Sequence, residues 1–192
     1  MRWIRSWPVP MPGHRAYVMD EIERLLTADY DYTPLWYWFE RNPDEQGVCL
    51  IEWDIALEPN KYQEFERSAL DAPDRVLVAP QLLHHVEPWG SVWAHRRLDE
   101  TGNHRWVRTG EPECDYFAFG LIYFPRRVVQ LFMDAPAPAR GAPLLTPGGY
   151  TDCRFIDQTF SMWHRHRYSG GGPVRIEWDV RPVHLHARGV GR

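Results

Sequence analysis

Residues 47–59 read GVCLIEWDIALEP. A glycine turn opens the stretch, and Val48-Cys49-Leu50-Ile51 follows with no polar break. An unbroken apolar run of that length marks a strand covered on both faces. Two acids, Glu52 and Asp54, arrive as the run ends. Residues two apart on a strand point to the same side, with α-carbons about 6.5 Å apart. Carboxylates that close, beside a core, repel one another and lose hydration. A hard divalent cation with oxygen ligands removes both penalties, and in open α/β sheets ligands gather at this end of the strands. The plainer reading is that both carboxylates reach water at a strand end.

The same tetrapeptide returns at 176–179, within PVRIEWDVRPVHLH. Here Val174, Ile176, Trp178 and Val180 alternate with Arg175, Glu177, Asp179 and Arg181. That period of two predicts a half-buried strand with a solvated, charge-paired outer face. The two copies are therefore read differently, and only the first is a candidate site.

Working outward from the first copy, RWIRSW (2–7) reads as a short strand, PVPMPG (8–13) as a rigid turn, and Val18, Ile22, Leu25 and Leu26 as one face of a helix. A short element is expected around 35–39 and a turn at Asn42-Pro43. Asn60 is the expected cap of a helix over 60–70, with Gln63 in the capping-box position; Tyr62, Phe65 and Ala69 line one face of it. RVLVAP (75–80) is a further buried strand. Strands alternating with helices predict an α/β layered sheet. Beyond it, SVWAHRRL and HRWVRT form a hairpin about Gly102-Asn103, DYFAFGLIYFP (115–125) a long strand with a glycine kink, and RRVVQLFM (126–133) a short helix. Residues 135–149 are rich in Pro, Gly and Ala and are expected to form a mobile loop. Asp152 is placed to cap a helix over 153–167 with Ile156, Phe160 and Trp163 as its apolar stripe. The whole, 1–192, reads as a single domain.

Composition narrows the function classes. A formal charge of −4 argues against a nucleic-acid partner. Lys61 is the sole lysine, so positive charge is carried by arginine, which grips phosphates and carboxylates bidentately. Cys49, Cys114 and Cys153 are odd in number with no Cys-x-x-Cys spacing, which fits a reducing, cytoplasmic compartment. The start, MRWIRSWPVP, has charge and proline where a secretory leader has an apolar region, and no apolar run reaches membrane-spanning length. Ten tryptophans imply a dense core or a pocket of flat rings; Trp89, Trp93 and Trp163 are candidates to stack on a sugar or nucleoside, although core packing is the expected role of any single one.

A buried strand, an acid-x-acid motif, a proline and a helix, as in residues 47–70, resemble the centre of GT-A fold glycosyltransferases, with Glu52-Trp53-Asp54 in the place of the Asp-x-Asp motif. VLVAPQLL (76–83) resembles the next strand, and CDYFAFGLIYFPRRVV (114–129) the strand, glycine turn and helix on the acceptor side. TDCRFIDQTFSMWHRHR (151–167) is similar to the late helix bearing the catalytic acid, and VRPVHLH (180–186) to the closing strand. The resemblance spans residues 48–186 in order and is of a family 2-like short form. It implies a GT-A-like (Rossmann-like) mixed sheet flanked by helices, with the N-terminal part shortened.

It also implies a nucleotide-sugar donor, a protein or glycan acceptor, and Mn²⁺ or Mg²⁺. Carried over, Asp54 binds the metal and Glu52 meets the ribose or a metal-bound water, with Trp53 between them against the donor. His184 or His186 completes the metal site. Asp157 is the first choice for the base of an inverting hexosyl transfer, and Asp152 the second. His14 and Arg15 stand near the donor phosphates at a helix start, and Asp29 or Asp31 near the nucleobase. Small versions of this fold occur among virus-encoded modifiers of surface proteins and glycans. The motif departs from the family in beginning with Glu and holding a bulky Trp. One alternative is therefore a non-catalytic nucleotide-sugar or glycan-binding module on a decayed GT-A fold. Another is an iron oxygenase using His84, Glu87 and a later histidine, which needs a facial triad with open positions.

Overall fold

The computed structural model describes residues 2–6, 38–52, 55–86, 90–135 and 156–184, with the backbone alone described at 2, 4–6, 83–86, 90–93, 156–159 and 184. The first four strands described are β1 (Arg2–Ser6), β2 (Gly47–Glu52), β3 (Ile55–Ala56) and β4 (Leu77–Val78). Helix α1 (Pro59–Leu70) lies between the last two. Then come β5 (Leu82–Val86), β6 (Gly90–Trp93), β7 (Arg96–Leu98), β8 (His104–Trp106), β9 (Glu113–Cys114) and β10 (Leu121–Pro125). Helices α2 (Arg126–Asp134) and α3 (Ile156–His166) precede β11 (Val174–Ile176) and β12 (Val183–His184).

Six strands make one mixed sheet in the order β1-β2-β10-β4-β11-β9. β1 is parallel to β2 and β11 to β4, while β10 runs antiparallel to both β2 and β4, and β9 to β11. The C-terminal ends of β1, β2, β4 and β11 therefore share one edge. The fold is mixed α/β, as its alternating elements predict.

The apolar run of β2 behaves as read. Val48, Cys49, Leu50 and Ile51 are at most 2% exposed, and they alternate between two cores. Val48 and Leu50 join Val78, Ile122 and Ile176 under Phe132 of α2 and Phe160 and Trp163 of α3. Cys49 and Ile51 join Leu77, Leu121 and Tyr123 under Phe65 and Ala69 of α1. Burial on both faces explains why no polar residue interrupts the run. Gly47 opens it for a steric reason: a Cβ there would sit 2.1 Å from the hydroxyl oxygen of Tyr123.

Three local expectations are corrected. Asn60 does not cap α1: Glu58 is the cap residue, Pro59 takes the first helical position, and Gln63 plays no capping-box part. The strand predicted over 115–125 begins only at Leu121. Before it, backbone groups leave the ladder for other partners. Phe117 N–H donates to Ser161 Oγ on α3 (2.9 Å), and Ala118 N–H to His95 Nδ1 (3.3 Å). The strand predicted over 174–181 ends at Ile176, because a turn at 178–179 breaks the alternation. Val180 consequently joins the core on the opposite side from Val174 and Ile176. Glu177 is not on a solvated face: it is buried, and its Oε2 accepts from Arg175 Nη2 at 2.8 Å.

The remaining strands are short pairs. β7 and β8 form the expected hairpin, with Gly102 at φ 81° in its turn. β5 pairs with β6, and β12 pairs antiparallel with β3. The predicted turn at 8–13, the helix after it and the 135–149 loop lie outside the described residues, save Ala135.

Candidate functional site

Glu52 stands at the C-terminal end of β2, where the two cores stop and the chain emerges. Its N–H donates to Gly120 O (2.8 Å), which carries the β2–β10 ladder one step past the strand. Its half-buried carboxylate accepts from Gln81: Gln81 Nε2 lies 3.4 Å from Glu52 Oε2. Gln81 follows Ala79-Pro80 beyond β4, so it reaches this edge from the other side of β10. It is 7% exposed, and its own carbonyl accepts from Ala94 N–H at 2.7 Å.

His95 braces the same edge from beneath. It is fully buried, with Nε2 2.7 Å from Ala79 O and Nδ1 accepting from Ala118 N–H at 3.3 Å. A carbonyl can only accept and an amide N–H can only donate, so these partners fix the neutral tautomer with the proton on Nε2. Burial pushes the imidazole down from 6.5 to about 4, against the opposing pull of the Ala79 carbonyl. The ring ties the segment after β4 to the segment before β10, the two segments that flank Glu52.

The short pair β3–β12 forms the next part of this edge. In its register Val183 faces Ala56 and His184 faces Ile55, and Ile55 directly follows Asp54 in the chain. Ile55 is 1% exposed, so β3 is anchored in the core that holds α1. The closing strand thus returns its histidine to the neighbourhood of the acid-x-acid segment in the backbone register. Trp53, Asp54 and His186 lie outside the described residues, and His184 is described by its backbone alone. Among the described residues, no three of His, Cys, Asp and Glu gather as a metal-holding group.

Asp157 lies in the first turn of α3. The direction of this helix follows from its other end. His164 and Tyr168, in and just after its last turn, line a cavity of about 390 Å³ with Val76 and Val174, at the N-terminal ends of β4 and β11. The first turn is thereby directed to the opposite edge, the one where Glu52 emerges. Trp163 is 3% exposed and packs on Phe132 (5.0 Å) and Tyr168 (5.5 Å), so it is a core residue and not a stacking platform. His14, Arg15, Asp29, Asp31, Glu87, Trp89 and Asp152 lie outside the described residues, and His84 and Trp93 are described by backbone alone, in β5 and β6.

Sequence reasoning missed Gln81, His95 and Gly120. A signal existed for two of them. Gln81 is the first polar residue beyond a buried strand, and Gly120 interrupts an apolar run. For His95 there was none, since its partners are backbone atoms of distant segments.

Among the described residues, no helix is long and apolar enough to cross a membrane. No protein-family model matches the chain, and no curated protein matches it. Among solved structures, the chain is similar to one titled "Crystal Structure of A197 from STIV", with a TM-score of 0.49 and 13% identity over 96% of this chain and 85% of that one.

Proposed function

We propose that the chain is a metal-dependent glycosyltransferase on a GT-A-like sheet, moving a sugar from a nucleotide-sugar donor to a hydroxyl of a protein or glycan acceptor. The observation that supports this reading is the register of β3 against β12, which pairs Ile55, the residue after Asp54 and three positions beyond the end of the doubly buried strand β2, with His184. A carboxylate supplies the hard oxygen that Mn²⁺ and Mg²⁺ prefer, and an imidazole beside it would favour Mn²⁺ of the two. Asp54 would hold the ion together with His184 or His186. When bound, it supplies a Lewis acid that stabilises negative charge on a departing diphosphate.

The chain's own groups do the rest. Glu52 binds the donor beside the ion, through the ribose. Asp157 takes the proton from the acceptor hydroxyl as its oxygen forms a bond to the anomeric carbon. The bond from that carbon to the β-phosphate oxygen breaks, and its electron pair leaves with the diphosphate. A carboxylate in hydrogen-bond reach serves as such a base, and the direction of α3 supports Asp157 in that part.

The test uses the full chain with a panel of nucleotide sugars, with and without Mn²⁺. The wild type is expected to gain thermal stability from a donor only when Mn²⁺ is present, and to hydrolyse or transfer that donor. Asp54→Ala is expected to lose both together. Undiminished donor hydrolysis in Asp54→Ala would overturn the reading. Donor binding with no turnover on any acceptor would favour a non-catalytic binding module instead.

A further inference from the structure

The contact between Gln81 and Glu52 depends on the absence of a side chain at a third position. A Cβ on Gly120 would lie 2.8 Å from both Cδ and Oε1 of Gln81. Gly120 does not adopt the left-handed backbone of Gly102 and Gly110, so its requirement is one of space alone. The Gln81 side chain passes over this glycine to reach Glu52 Oε2 at 3.4 Å, while Gly120 O accepts the Glu52 N–H. Gln81 starts from a fixed base: it is buried, and its backbone carbonyl accepts from Ala94 N–H. Three segments that are distant in sequence thus meet at Glu52, Gln81 on its carboxylate and Gly120 on its backbone N–H.

We infer that Gln81 is a positioning residue for Glu52 in donor binding, and that Gly120 keeps open the lane its side chain needs; this rests on the glycosyltransferase reading above. A glutamate at a strand end samples several rotamers, and a donor must select one of them. An amide held against one carboxylate oxygen makes that selection beforehand, which lowers the ordering cost of binding.

The experiment is a double-mutant cycle read as calorimetric affinity for UDP and for GDP, each with Mn²⁺. Gln81→Leu is expected to weaken binding about fivefold to tenfold. In the Glu52→Ala background the same substitution is expected to cost nothing further, because its effect runs through Glu52. Gly120→Ala is the second variant. The new methyl meets the Gln81 side chain and no backbone atom among its nearest neighbours, so the amide must shift away from Glu52; the unfolding midpoint should fall little while affinity falls as in Gln81→Leu. Losses that simply add in the cycle, or a Gly120→Ala protein of unchanged affinity, overturn the positioning role while leaving the glycosyltransferase reading intact. Wild-type protein that binds neither nucleotide removes that reading and this inference together, before any variant is compared.

Discussion

The proton on His95 sits on Nε2 and a second one is not welcome, because Nδ1 already accepts from Ala118 and the ring has no water around it. The folded value near 4 lies below the usual 6.5 of an unfolded chain, so folding favours the neutral ring. The stabilisation is therefore fully present above about pH 6.5 and is lost as pH falls through the window down to about 4. At about 1.4 kcal/mol per unit, the shift contributes up to roughly 3 kcal/mol. Burial and the neighbouring Arg165 push His164 down to about 4 as well, in the same direction. Urea unfolding measured from pH 7 to pH 4 should show falling stability, with a visibly shallower slope in His95→Gln; an unchanged slope would refute the assignment. None of this was legible in SVWAHRRL, since a buried imidazole is chosen by its partners and those stand 16 and 23 positions away. Glu177 was misread for the same reason. Alternation describes one strand: it anticipates the pairing of Glu177 with Arg175 on one face, and not the neighbouring segments that bury the acid.

Helix α1 starts with an unused opportunity. Glu58 occupies the cap position in extended backbone (φ −65°, ψ 145°) but makes no side-chain bond to the free N–H groups of the first turn. Glutamate is too long for that bond, whereas serine or aspartate fits it. Glu58→Ser should raise stability by about 0.5–1 kcal/mol, and Asn60→Ala should change it by less than about 0.5, both read as shifts in denaturation midpoint. The reverse ranking would restore Asn60 as the cap. Elements whose cause is local were readable. β2 follows from four consecutive apolar residues, the β7–β8 hairpin from its Gly102-Asn103 turn, and α2 from the period of Val128, Val129 and Phe132. Elements whose ends depend on tertiary partners were not. Residues 115–119 look like strand because they are aromatic and apolar, yet Ser161 and His95 take their amides.

The molecule as a whole is a mixed sheet between two apolar layers, and Phe160 is the pivot of the larger one. It is fully buried and its ring meets Phe119, Phe124, Phe132 and Trp163 at 5.1–6.0 Å. Phe160→Ala should cost about 3–5 kcal/mol, measured by equilibrium unfolding; a loss below about 1 kcal/mol would mean that α3 is not docked as described. The candidate site was legible to the extent that it follows from one strand: an acid at the end of a buried run is a local pattern. Its supports come from four other segments, and their convergence on Glu52 is a property of topology. The β3–β12 pairing has one more implication, for the order of events in the life of the polypeptide. It joins position 55 to position 184, so the corner it closes does not exist until β12 has left the ribosome. A ladder of two residue pairs repays little of the entropy of closing so large a loop. The main sheet contains neither β3 nor β12 and does not depend on this pair. A chain clipped ahead of Val183 should keep its six-stranded sheet and lose the manganese-dependent donor binding proposed above.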